Sequence, residues 1–290
     1  MRSLIHPEMS DIPALKRIWC EGFTEDADGY CDFYFEKYFR PDRCFAVYNG
    51  TELESAVHWF DAYYIGYDGN KYGFLFPYAG ATLHRYRGHR NLEYMITGCK
   101  QYAAEHGKTG MVFAAAEELV YLYDHWGYQR TAKLHTYSFH TSPANNGIVW
   151  EICPFEEFHK LRSNYLMQLG NCFCWELHTE KYMYEDIFTK GHVLVCEYEG
   201  CTYFAVCAVE ENCLIIRETS FPLKKSDLLA ESISRYYFYS GKITIYTNQN
   251  DFFCTQDFIA EDIYYGHYGL GKKFAGSEKL SSSYINLIAD

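Results

Sequence analysis

Basic residues are scarce in this sequence. It has 26 Lys and Arg against 38 Asp and Glu among 290 residues, so the formal net charge is −12. A surface of that charge repels the phosphate backbone of DNA and RNA, and we therefore expect no nucleic-acid partner. The same charge would attract a small cationic molecule, although solubility alone also accounts for an acidic surface.

Long apolar runs are also missing. No stretch approaches the roughly 18 apolar residues of a membrane helix, and the first residues, MRSLIHPEMSDIP, contain no apolar signal core. We therefore expect a cytoplasmic protein with no membrane partner, whose 12 cysteines stay free in a reducing compartment. Cys172, Cys174 and His178 are close in sequence but lack the second pair of ligands that a structural zinc site needs, so no metal is predicted.

Hydrophobic periodicity and turn signals predict a mixed α/β fold in the first half of the chain. A helix begins at Asp11-Ile12-Pro13, where an acidic residue precedes a proline in the first turn. Asn49-Gly50 and Asp68-Gly69 mark turns between antiparallel strands, whereas a later strand is reached by a helical crossover and must be parallel to its neighbour. The predicted helices cover 11–23, 30–39, 92–106 and 117–126, and the predicted strands cover 44–48, 55–65, 72–83, 111–116 and 133–139.

The second half repeats this order in outline. Residues 141–149, TSPANNGIV, have the composition of a linker. Strands are predicted at 192–198, 202–209, 213–221 and 242–247, with a helix at 227–239. The expected fold class is α/β (α+β), with two tandem domains at 1–140 and 141–290, each a mixed and mostly antiparallel sheet flanked by helices.

The segment YAGATLHRYRGHRNLEYMI, residues 78–96, carries the clearest functional signal. A strand gives way to an amphipathic helix within a few residues. The N–H groups of the first helical turn have no partner inside the helix, and the helix dipole places partial positive charge there. Arg87, His89 and Arg90 add donors, and Gly88 allows close approach of the main chain. Such a turn suits a pyrophosphate group.

Element order and this motif together resemble the GNAT superfamily, the acetyl-CoA-dependent N-acetyltransferases. The family signature at this turn is R/Q-x-x-G-x-G/A, often after a strand that ends V-x-P-x-Y. Arg87 takes the Arg/Gln position, Arg90 stands where the first glycine is expected, and Leu92 stands at the second Gly/Ala position. His84 replaces the proline.

A second register, which starts at Arg85, retains one glycine. It places Glu93 and Tyr94 where apolar helix residues belong, so the first register is preferred. The corresponding segment of the second half, Phe221-Pro222-Leu223-Lys224-Lys225, lacks both the glycine and the arginine pair. We therefore expect a degenerate second domain that binds no pyrophosphate.

The resemblance implies acetyl-CoA as co-substrate. Main-chain groups at the end of the strand would pair with the pantetheine arm as an added strand does, and a main-chain N–H there would polarise the thioester carbonyl. Amides of the following turn would hold the pyrophosphate. The predicted coenzyme-binding residues are Gly80, Ala81, Thr82, Arg87, Gly88, His89, Arg90, Asn91, Leu92 and Glu93.

The run from Leu122 to Tyr128, LYDHWGY, resembles the family's L-Y-x-x-x-G-F. The tyrosine of that motif protonates the departing thiolate, so the resemblance implies that Tyr123 is the general acid; a phenol with a pKa of about 10 is a competent donor. The sequence does not name the base. Glu54, His58 and Asp61 lie on the preceding strand, and His58 has the ordinary pKa nearest neutrality. A water relay would serve equally well.

The predicted function is transfer of an acetyl group from acetyl-CoA to a primary amine of a small, cationic acceptor by direct attack. The second domain would form one side of the cleft that binds the amine acceptor. Its candidate acidic residues for contact with a cationic acceptor are Glu176, Glu218 and Asp227. One alternative is a catalytically inactive module of the same fold that binds CoA or a peptide, which Arg90 in a glycine position favours. Another is an aminoacyl-transferase that uses aminoacyl-tRNA, which the net charge opposes.

Overall fold

The computed structural model describes residues 2–23, 29–114, 123, 129–210, 212–247, 252–255 and 257–269. The chain divides into two compact units. The first contains most of the residues up to Gln129, together with the last described residues from Gly266 onward. The second begins at Arg130 and includes the hairpin tip Tyr64–Lys71.

The first unit is a mixed sheet with helices on both faces. Strand order is β1-β2-β3-β4-β5; β2 is antiparallel to β1 and β3, while β5 is parallel to β4. The elements are β1 (Arg2–Ile5), α1 (Ile12–Gly22), α2 (Tyr30–Lys37), β2 (Cys44–Asn49), β3 (Glu52–Ile65), β4 (Lys71–Thr82), α3 (Asn91–Glu105) and β5 (Gly110–Ala114).

Strand β3 lies at the centre of this sheet and is buried along almost its whole length. Side chains alternate along a strand, so its two faces pack against different helices. Val57 and Trp59 join the core that α3 closes with residues such as Met95. His58 points to the opposite face, where its ring lies 5.6 Å from that of Trp19 in α1. A central strand covered on both faces explains why most residues of 55–65 are apolar.

The second unit has a similar element order, with an additional short strand, Cys172–Trp175, between its first two helices. Its strand order is β6-β12-β11-β10-β9-β7, and β12 is parallel to β11 while the other pairs are antiparallel. The elements are β6 (Gln129–Thr141), β7 (Glu151–Ile152), α4 (Phe155–Leu169), β8 (Cys172–Trp175), α5 (Leu177–Lys190), β9 (Gly191–Tyr198), β10 (Cys201–Glu210), β11 (Cys213–Thr219), α6 (Ser226–Tyr237), β12 (Gly241–Thr247) and β13 (Ile259–Gly269).

The predicted fold class is confirmed: each unit has a mixed sheet flanked by helices. Most predicted helices and strands match within a few residues, whereas the expected helix at 117–126 lies outside the described residues apart from Tyr123. The domain boundary at 140 stays a prediction. Residues up to Gln129 belong to the first compact unit, and the second unit takes over at Arg130, at the start of β6. None of the helices in the described part of the chain has the length and apolar character that crossing a bilayer requires.

Helices α4 and α5 were not predicted, because charged residues interrupt their apolar faces. Arg162 of α4 is 1% exposed and Glu180 of α5 is 3% exposed. Their side chains approach each other at 3.3 Å, between Arg162 Nη1 and Glu180 Oε1, and Arg162 Nε donates to Glu218 of β11 at 2.7 Å. A hydrophobicity pattern assigns every charged residue to the solvent-exposed face of a helix. It therefore misreads a buried charged residue that is held by an ion pair.

Candidate functional site

Strand β4 has an open edge near its end. It pairs with β5 at Phe74–Gly110 and Leu75–Met111, and this pairing does not extend to residues 79–82 at its end. Pro77 lacks the N–H that a ladder would use, and Ala79 has a left-handed φ of +47° that interrupts the regular strand. Gly80 is exposed although it lies on an interior strand of the sheet. The end of β4 therefore presents main-chain groups that an extended ligand can pair with.

The turn after β4 leads directly to the start of α3. Gly88 has a φ of +80° and Arg90 a φ of +62°, so two left-handed residues precede the helix. Arg90 is the N-cap, and no side chain caps the helix. The first helical bond runs from Tyr94 N–H to the Arg90 carbonyl at 3.1 Å. The amides of residues 91–93 thus have no acceptor in their own helix and no capping side chain, which is the arrangement that binds anions.

Arg87 holds the turn against α1. Its Nη2 donates to the Glu21 carbonyl at 3.2 Å, and its Nε donates to the Thr82 carbonyl at 3.4 Å. The Glu21 carboxylate accepts the His84 N–H at 3.0 Å, and this bond is the main reason that the pKa of Glu21 is lowered. Because Arg87 contacts carbonyl oxygens, its positive charge is not neutralised by a carboxylate among the described residues.

The Arg90 side chain leaves the turn open. It is 81% exposed and forms a two-bond pair with Glu93, at 2.7 Å from Nε and 3.1 Å from Nη2. Its left-handed φ is one that glycine adopts freely and other residues adopt at a cost of about 1–2 kcal/mol. The turn therefore has a conformation that favours glycine, and Arg90 adopts it here.

The remaining predicted coenzyme residues anchor the turn. Leu92 packs on the core of the first unit, within 4.0 Å of where a Cβ on Gly80 would lie. Asn91 is buried and donates from Nδ2 to Glu54 and to Ser55. His89 accepts a bond on its carbonyl from Arg2. The structure therefore brings the predicted coenzyme residues together along one segment, from Gly80 to Glu93.

Tyr123 packs against the core that Val57, Leu75 and Met111 form beside the parallel pair of strands. Burial raises the pKa of its phenol. A raised pKa keeps the hydroxyl protonated at neutral pH, which is the form that a proton donor needs. The other residues of the 122–128 motif lie outside the described part of the chain.

His58 lies in an aromatic cluster between β3 and the helices α1 and α2. It is 2% exposed, and its ring centroid lies 5.2–5.8 Å from those of Trp19, Tyr34, Phe35 and Phe39. Burial lowers the pKa of its imidazole to about 3. Its Nδ1 has no hydrogen bond among the described residues. Such a group is a weak proton acceptor, and its role as the base stays a prediction.

The other candidate bases are occupied. Glu54 pairs with Arg2 at 3.0 Å. Asp61 pairs with Lys108 and with Arg43, the latter at 3.2 Å. Each carboxylate thus has a cationic partner, and Glu54 Oε1 has no hydrogen bond among the described residues.

In the second unit, the chain itself covers the start of α6. Phe253 N–H donates to the Leu223 carbonyl at 3.1 Å, and Thr255 N–H donates to the Asp227 carboxylate at 3.0 Å. Ser226 donates to the Phe253 carbonyl. These bonds place the segment 253–255 against the start of α6, and the degenerate second copy stays a prediction. Glu218, which was expected to line the cleft for the amine substrate, is fully buried against Arg162.

Comparisons with known proteins agree with this architecture. No family model matches the sequence, and no curated protein sequence matches it. Solved structures do match. A GCN5-related N-acetyltransferase from Anabaena variabilis has a TM-score of 0.74 at 13% identity, and the match covers 92% of this chain and 72% of that one. One from Kribbella flavida has a TM-score of 0.70 at 13% identity, with 93% and 71% covered.

Eis1 from Mycobacterium abscessus has a TM-score of 0.65 at 9% identity, and the match covers 91% of this chain and 73% of that one. The matches extend over both units. This chain therefore has the fold of the GCN5-related N-acetyltransferases, which confirms the resemblance inferred from the sequence at the level of the fold.

Proposed function

We propose that this protein is an N-acetyltransferase that transfers an acetyl group from acetyl-CoA to a primary amine of a small, cationic acceptor. The observation that carries the proposal is that three features suited to the co-substrate follow one another along one segment of the chain. An open strand edge at 79–82, a turn with left-handed residues at 88 and 90, and an uncapped helix start at 91 follow one another. The strand edge suits the thioester and the pantetheine arm of the co-substrate, and the turn with the helix start suits its diphosphate.

The open edge of β4 would receive the pantetheine arm. Extended backbone with free main-chain groups binds an extended ligand as an additional strand. The amides of 88–93 would bind the diphosphate together with the helix dipole. Arg87 supplies a nearby positive charge in a protein whose net charge is −12.

Direct transfer needs two contributions from the chain and an acceptor for the amine proton. A main-chain N–H between Gly80 and Thr82 would stabilise the negative charge that develops on the carbonyl oxygen as the amine attacks. Tyr123 would donate its proton to the sulfur as the carbon–sulfur bond breaks. The attacking nitrogen must lose a proton, and water serves for this step because the pKa of His58, about 3, leaves that imidazole a poor acceptor.

Two measurements test this function. Calorimetry with acetyl-CoA should detect binding, and a panel of primary amines should include at least one that releases free CoA thiol in the presence of the protein. Saturating acetyl-CoA that produces no heat and no thermal shift would refute the proposal.

A second candidate is a module of the same fold that binds CoA, or a peptide, without turnover. Arg90 in a left-handed position that suits glycine favours it, because a side chain there adds backbone strain at the turn. The two candidates differ in one result: the inactive module binds CoA or a peptide but releases no thiol with any amine.

A further inference from the structure

Glu54 is a carboxylate in the interior of the first unit. Its side chain, on β3, is 1% exposed. Burial of an unpaired carboxylate is costly, so a buried one is held by cations or hydrogen-bond donors. Arg2 Nε lies 3.0 Å from Glu54 Oε2, and Asn91 Nδ2 donates to the same oxygen at 3.1 Å. One buried carboxylate therefore joins β1, β3 and the first turn of α3.

Asn91 connects the two ends of the turn. Its Nδ2 also donates to Ser55 Oγ at 2.8 Å, and Ser55 Oγ donates to Thr82 Oγ1 at 3.0 Å. The Leu83 N–H donates to the Glu54 carbonyl at 3.0 Å. Thr82 ends β4 and Asn91 begins α3, so the residues between them are fixed at both ends through β3.

Arg2 acts on the middle of the turn. Its Nη1 donates to the His89 carbonyl and its Nη2 donates to His89 Nδ1, each at 3.0 Å. In a trans peptide the carbonyl and the next N–H point in opposite directions. Since Arg2 holds the His89 carbonyl toward β1, the Arg90 N–H points away from Arg2.

We propose that Arg2, Glu54 and Asn91 are positioning residues that hold the turn in its diphosphate-binding shape before the ligand arrives. This inference rests on the proposed function, because it concerns the same turn. The side chains act through the backbone of 88–93 and need not touch the ligand. A turn that is ordered in advance loses less conformational entropy on binding, and the coenzyme binds more tightly for that reason.

The test compares Arg2→Met with Arg40→Met. Arg40 forms an exposed pair with Asp42, so its replacement removes the same charge without touching the turn. For Arg2→Met we expect CoA affinity, measured by calorimetry, to fall about tenfold. For Arg40→Met we expect it to stay within about twofold of wild type. S-Acetylpantetheine, which lacks the diphosphate, should give the same kcat/KM with both variants.

Hydrogen exchange provides a readout that needs no ligand. In the free protein, the amides of 88–93 should exchange faster in Arg2→Met and in Asn91→Ala than in Arg40→Met. If wild-type protein binds no CoA, the proposed function fails, while exchange still decides whether these residues order the turn. If wild type binds CoA and Arg2→Met binds it equally well, or exchanges equally slowly, the positioning role is overturned.

Discussion

Gly22 at the end of α1 lies directly against Ala81 of β4. A Cβ placed on Gly22 would lie 2.6 Å from the Cβ of Ala81, closer than two carbon atoms can approach. The neighbouring Glu21 binds the His84 N–H and accepts on its carbonyl from Arg87. The close approach of α1 to β4 therefore sets where the turn after β4 begins.

A methyl group at position 22 should displace the end of α1. We expect Gly22→Ala to lower the free energy of unfolding by about 1–3 kcal/mol, the usual cost of overpacking, although alanine is the better helix former. Urea unfolding measures this change. Ala81→Gly removes the opposing methyl, so the double variant Gly22→Ala/Ala81→Gly should recover at least about 1 kcal/mol relative to additivity. If the two changes in unfolding free energy simply add, the side chains at positions 22 and 81 do not clash.

Arg90→Gly should separate backbone strain from charge. Glycine relieves the left-handed φ of +62°, so the fold should gain up to about 1 kcal/mol in stability. We expect CoA affinity to fall about threefold, because the Glu93 carboxylate loses its partner next to the uncapped helix start. Glu93→Gln in the Arg90→Gly background should restore it. Tighter CoA binding by Arg90→Gly alone would contradict this account.

Tyr123→Phe should impair chemistry and leave binding intact. Loss of the phenol removes the proposed proton donor, and we expect kcat to fall about 10- to 100-fold with little change in the CoA dissociation constant. Tyr102→Phe is the matched control, because Tyr102 packs against the same core as Tyr123. Equal turnover by the two variants would remove Tyr123 from the mechanism.

The turn at 81–96 was predictable because its determinants are local. A strand pattern, a glycine, a group of basic residues and an amphipathic helix follow one another within one short segment. Pro77 was an available signal that went unused, since a proline inside a predicted interior strand indicates a break in the ladder. It would have pointed to the open edge of β4.

The supporting contacts were not predictable in the same way. Arg2 and His89 are separated by 87 positions, and nothing local to either indicates that they meet. The buried pair of Arg162 and Glu180 had the opposite effect, because charges at buried positions hid α4 and α5 from a pattern based on hydrophobicity. Sequence reasoning thus predicted the strand, turn and helix of the candidate site and missed the long-range polar contacts that hold the structure around it.

His58 gives a stability prediction whose sign follows from its pKa. The folded-state value of about 3 lies below the ordinary value of 6.5. Between about pH 6.5 and about pH 3 the unfolded chain binds a proton that the folded chain does not, so stability falls as the pH falls, by up to about 1.4 kcal/mol per pH unit. His58→Phe, which suits the aromatic surroundings, should remove this dependence in urea unfolding between about pH 4 and about pH 6.

The same variant decides the catalytic role of His58. His84→Gln, at an exposed histidine in the turn, serves as the control for loss of one imidazole. If water accepts the amine proton, His58→Phe retains kcat within a few-fold and the pH profile of wild type. A fall of about a hundredfold or more in kcat, with loss of a titrating group from the profile, would instead assign proton removal to His58. The aromatic cluster around His58 would then have to open during turnover, because the buried imidazole is too weakly basic to accept the proton.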